Sequence, residues 1–63
     1  MEINGKKVRK LRKQRGWIQK ELAEGICTAS MISQIETGKA RTSAYVIQRI
    51  AAKLGVSEDE FKK

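Results

Sequence analysis

At 63 residues, 40% of them apolar and 33% charged, the chain has room for one small soluble domain (residues 1–63) and none for a substrate pocket beside a second one. Lysine and arginine outnumber aspartate and glutamate 14 to 7, and the resulting charge of +7 suits a polyanionic partner, nucleic acid first. A lone cysteine excludes an internal disulfide and fits a reducing, cytoplasmic setting. The lack of histidine removes the commonest metal ligand and general base, and no apolar run approaches the ~20 residues of a membrane span.

Apolar residues recur at helical spacing throughout, without sustained alternation, so the chain reads as all-α with five helices. Asn4 is a good N-cap for the first helix, with Ile3 and Val8 placed to form a hydrophobic staple. Val8 and Leu11 face inward and Gly16 ends the helix. The second helix spans about Ile18 to Glu24 and buries Leu22 and Ala23. Ile18 stands at its cap, where the side chain offers no acceptor. Gly25 breaks it, and Ile26 and Cys27 turn into the core. The third helix, Thr28 to Glu36, is capped by Thr28, carries Ile32 and Ile35 inward and closes at Gly38. Ser43 caps the fourth, in which Val46, Ile47, Ile50, Ala51 and Leu54 form a wide apolar stripe ending at Gly55. Ser57 and Glu60 have the S-x-x-E spacing of a capping box for a last short helix carrying Phe61. The expected core adds Val56 to these inward residues.

The charge is uneven. Lys6, Lys7, Arg9, Lys10, Arg12, Lys13 and Arg15 crowd the first segment, while the middle is slightly acidic and the end balanced. No nucleophile–base pair, metal-spaced cysteine set or phosphate-cradling glycine loop is present. The expectation is therefore a binding protein with no catalytic residue, metal site or cofactor. The basic first helix lacks the broad apolar stripe of a membrane-surface helix.

Three motifs in order, L-R-x-x-x-G-W-x-Q-x-E-L-A at Leu11 to Ala23, I-S-Q-I-E-x-G at Ile32 to Gly38 and I-A-x-x-L-G-V-S at Ile50 to Ser57, resemble the lambda-repressor-like, Cro/XRE-type DNA-binding domain. The turn segment Glu24 to Ser33, with its Ile-Cys, is similar to that of the N-terminal domains of peptide-sensing PlcR/NprR-like quorum regulators. The sequence departs from the family pattern at Ile18, where serine or threonine is common, and at Thr42, where proline is.

The resemblance implies a five-helix domain whose second and third helices form a helix-turn-helix, in a cytoplasmic transcription regulator that binds double-stranded DNA. It implies a palindromic operator bound by a homodimer, formed in the PlcR/NprR-like group through a further C-terminal domain. Within this chain Val56, Phe61 and the last helix are the candidate contact points. Ala29, Ser30, Ser33 and Gln34 would face the bases. Gln34 is the sharpest reader, since its amide can bond adenine N6 and N7 together. Gln19, Lys20, Thr28, Lys39, Arg41, Thr42 and Ser43 would lie along the DNA backbone, positioning the protein without reading sequence. Arg12 and Glu36 would form a structural ion pair. The other reading of the same fold is a protein-interaction module, as in antitoxin or co-activator relatives, with Trp17 or Tyr45 on the contact surface.

Overall fold

The computed structural model describes residues 3–39 and 42–62. Its described residues contain four α-helices, α1 (Gly5–Gln14), α2 (Gln19–Ala23), α3 (Ala29–Glu36) and α4 (Ala44–Leu54), followed by one 3-10 turn, Glu58–Phe61, and no strand. The expected fifth helix is thus corrected to a single tighter turn.

The reason lies in its ends. Only four residues separate Ser57 from the extended Lys62, too few to repay helix nucleation. The Ser57 hydroxyl accepts from the Asp59 N–H at 3.3 Å, one residue short of the capping-box geometry. Glu60, the other half of the expected box, is drawn instead to Lys7 Nζ at 3.5 Å.

The remaining caps follow the local chemistry. Asn4 accepts from the Lys7 N–H at 3.2 Å, Thr28 from Met31 at 3.1 Å and Ser43 from Val46 at 3.3 Å. Ile18 can accept nothing, and α2 enters on the half of a capping box that remains: the Glu21 carboxylate takes the Ile18 N–H at 2.8 Å. Gly16, Gly25, Gly38 and Gly55 all adopt φ between +72° and +79°, which lets the chain reverse after each helix.

The core is built from Ile3, Val8, Leu22, Ala23, Ile32, Ile35, Ile47, Ile50, Ala51, Leu54 and Phe61. Leu11, Ile26, Cys27, Val46 and Val56, expected inside, are only partly buried and pack against its edge, as do Trp17 and Met31. Ile3 joins the core from outside any helix. The Asn4 N–H donates to the Phe61 carbonyl at 2.6 Å, so the start of α1 and the terminal turn are tied together over it. Phe61, expected at a dimer contact, is wholly buried in its own domain and has no surface to offer a partner.

One contact decides how α1 lies on α3. A Cβ built on Gly5 would stand 2.1 Å from the Ile35 carbonyl oxygen and 2.8 Å from that of Glu36. The first turn of α1 therefore rests directly on the backbone of the last turn of α3. The hydrophobic pattern gives no sign of this, since glycine adds nothing to it.

Candidate nucleic-acid interface

α2 and α3 are joined by residues 24–28 and pack closely on one another. On α3 the side chains of Ile32, Ile35 and Glu36 are buried, which fixes its rotation. Ser30 and Gln34 are consequently exposed, and Ala29 and Ser33 half-exposed, with 29/33 and 30/34 each one helical turn apart. These four expected base-facing residues form one continuous outer strip. Thr37, beyond the strip, turns its hydroxyl back onto the Ser33 carbonyl at 3.0 Å and closes the helix end.

The seven residues expected along a DNA backbone divide. Lys20, Thr28, Lys39 and Ser43 are exposed, with Thr28 and Ser43 also serving as caps. Gln19 is half-exposed at the first position of α2. Thr42 is only 7% exposed, so most of its side chain is turned away from any ligand. Arg41 lies outside the described residues.

Beneath the strip is a buried polar network. Glu36, 7% exposed, accepts from Arg12 Nε at 2.7 Å and from Arg12 Nη2 at 3.0 Å, a two-pronged pair. Arg12, 8% exposed, spends its Nη1 on the Trp17 carbonyl at 2.7 Å. The Glu36 hydrogen bond raises the Arg12 pKa above its ordinary value, and burial pulls the other way. Sequence reasoning missed the third partner. Gln19 Nε2 donates to Glu36 Oε1 at 3.1 Å, so this side chain belongs to the network as well as to the surface. Its amide keeps a second N–H and an oxygen for an outside group. One carboxylate thereby ties together α1, the start of α2 and the end of α3, and no buried side-chain donor or acceptor among the described residues is left unpaired.

A second link was also missed. Lys53 of α4 places Nζ 2.6 Å from the Glu21 carbonyl and 2.9 Å from that of Glu24, closing the open C-terminal end of α2. The same ammonium lies 5.9 Å from the centre of the Trp17 ring, and the Arg15 guanidinium lies 5.9 Å from it too. The nearest signal in the sequence was Lys53 itself, a cation in the last turn of α4, but its target is an element about thirty residues away.

Cys27 is half-buried in the turn between α2 and α3. Burial pushes its thiol pKa up, with the charge of Lys53 as a smaller opposing effect. Alkylation by iodoacetamide at neutral pH is therefore expected to be slower than for a cysteine in an unfolded peptide. Equal rates would contradict this environment.

A family model described as helix-turn-helix matches residues 8–61. The chain belongs to the helix-turn-helix family. An uncharacterized HTH-type transcriptional regulator of Bacillus subtilis (strain 168), YazB, is 37% identical over 60 residues, covering 94% of this chain and 87% of that protein. Among solved structures, Bacillus thuringiensis PlcR in complex with the peptide PapR7 and DNA is 41% identical at a TM-score of 0.86 over 94% of this helix-turn-helix chain. The match spans only 21% of PlcR. The restriction-modification controller protein C.AhdI from Aeromonas hydrophila is 28% identical at a TM-score of 0.83, over 89% of this chain and 86% of that one. Among the described residues no helix is long and apolar enough to cross a membrane, and no three of its acid or thiol side chains gather as a metal would require.

Proposed function

We propose that this helix-turn-helix domain is a sequence-specific, double-stranded-DNA-binding transcription regulator, with α3 entering the major groove. The observation that carries the reading is the strip Ala29, Ser30, Ser33 and Gln34, outward on a helix whose opposite side is buried. A major groove about 12 Å wide admits such a helix. The likeness to a PlcR domain from a DNA complex and to a controller protein supports it.

Gln34 reads an adenine by two hydrogen bonds, Ser30 and Ser33 donate or accept at neighbouring base edges, and Ala29 meets a thymine methyl. Gln19, Lys20, Thr28, Lys39, Arg41 and Ser43 hold phosphates on either side. Gln19 brings to its phosphate a side chain already oriented by Glu36. Two copies on a palindromic site, one helical turn apart, double the contacts of a single small domain.

Site selection from random duplex DNA at fixed salt tests the assignment. The native protein is expected to enrich a two-fold symmetric motif. Gln34→Ala is expected to lose preference at one base pair per half-site, with affinity for the native motif reduced by about 1–3 kcal/mol. Recovery of the same motif at the same affinity would reject Gln34 as a reader.

The protein-interaction reading is favoured by one feature, the 60% exposure of Ile18 and 64% exposure of Tyr45. It expects α3 surface variants to leave regulation in cells intact while Tyr45→Ala abolishes it.

A further inference from the structure

We propose that the outer face of α1 is a second phosphate-binding surface, one that grips duplex DNA flanking the site read by α3. The proposal rests on the DNA-binding reading above and extends it to residues outside the helix-turn-helix.

Lys6, Arg9, Lys10 and Lys13 follow the i, i+3, i+4, i+7 spacing that places side chains on one helical face. All four are exposed. Together with Glu36 and Thr37 they line a groove of about 570 Å³ between α1 and the end of α3. Glu36 does not neutralise them, since its carboxylate is committed to Arg12 and Gln19. Among the described residues none of the four is in an ion pair. Within the helix, Lys6 with Lys10 and Arg9 with Lys13 are like charges one turn apart, which works against the helix until an anion lies over them.

The occupant follows from where the groove lies. Glu36 forms part of its wall and also holds Gln19, the expected phosphate contact at the start of α2. The basic stripe and the reading strip are therefore joined around the end of α3. The stripe runs about 10 Å along α1 at 1.5 Å per residue, while duplex DNA carries a phosphate about every 3.4 Å along each strand. A rigid polyanion that already lies along α3 thus presents several phosphates to a stripe of this length. An acidic polypeptide segment would satisfy the charge but has no such reason to be held there.

The test compares the native chain with one in which Lys6, Arg9, Lys10 and Lys13 are all glutamine. Each is titrated across a salt series against two duplexes. One is cut to the selected motif, and the other is extended by about one helical turn, 34–36 Å, on each side. Each phosphate-bound cation adds about 0.9 to the slope of log affinity against log salt. The glutamine chain is expected to lose about two to four units of slope on the extended duplex, with little change on the short one. Its preferred motif should be unaltered. A chain with Lys6→Arg, Lys10→Arg and Lys13→Arg should behave as the native one does. Thermal unfolding of the glutamine chain should be unchanged or raised, because helix repulsion is relieved.

A loss of less than two units, or an equal loss on both duplexes, would overturn the proposal. So would loss of binding to poly-glutamate with DNA slopes intact, which would assign the face to acidic protein. If selection recovers no motif at all, the function proposed above fails. The salt slope on long random duplex DNA then still decides this surface: a loss of about two to four units in the glutamine chain keeps α1 as a phosphate contact, and a smaller loss rejects it.

Discussion

Gly5→Ala is expected to destabilise the protein by about 3 kcal/mol or more, at or beyond the upper range for an overpacked site, because nothing at the contact can yield. The new methyl would sit 2.1 Å from the Ile35 carbonyl oxygen. Both partners are backbone: one is the first turn of α1, the other the last turn of α3. Relief would require the helices to separate, and with them the Arg12–Glu36 bonds that span the same crossing. A domain of this size holds only about 3–9 kcal/mol in total, so most or all of its folding is at stake. The sign is the informative part. In a helix with nothing packed against its first turn, replacing glycine by alanine would be favourable. Urea denaturation followed by helical circular dichroism measures the change. A variant within about 1 kcal/mol of the native protein would mean that α1 can ride higher on α3 than its position here.

Removal of the Glu36 carboxylate should be the other large loss. Glu36→Ala is expected to cost about 3–5 kcal/mol, the range for a buried pair deprived of one partner. The guanidinium of Arg12 would keep its bond to the Trp17 carbonyl but lose two hydrogen bonds and its counter-charge in a site only 8% exposed. Gln19 would lose the bond that orients it. The pair Arg12→Met with Glu36→Leu replaces both charges by apolar groups of similar reach and should cost far less than the sum of the single changes. A double-mutant cycle over the four proteins reads the coupling directly. A value below about 0.5 kcal/mol would show the two residues acting independently. Affinity for DNA should fall in Glu36→Ala even under conditions where it is folded, because α2 and α3 meet the network at Gln19 and Glu36. A gain of DNA affinity would contradict that role.

These two experiments probe different kinds of information. The ion pair was legible in the sequence through resemblance, since Arg12 and Glu36 sit in motifs that carry it. The orientation of α3 was legible from spacing alone: Ile32 and Ile35, three apart, leave one outer face for Ala29, Ser30, Ser33 and Gln34. Gly5 was not legible by either route. A glycine after an N-cap looks like a weak helical residue, and only the position of a second helix turns it into a requirement.

The terminal turn shows the same division. Ser57-x-x-Glu60 is a sound local signal for a helix start, yet only four residues lie between Ser57 and the extended Lys62, and a backbone bond from Asn4 to Phe61 ties the tighter 3-10 turn to the start of α1. Phe61 was correctly expected to be apolar and inward. Its complete burial rules out the dimer contact expected of it, which no periodicity could have said.

What the chain by itself determined is local: the caps at Asn4, Thr28 and Ser43, the reversals at its glycines, and the side of each helix that turns inward. These depend on bonds within a few residues and on a period of about 3.6. The tertiary structure alone decided which distant groups close each other's open valences. Gln19 joins Glu36, Lys53 caps α2 from α4, and Gly5 lies against the backbone of α3. Those contacts depend on the angle and distance between helices, which arise from the packing of the whole core and leave no mark on any short stretch of sequence.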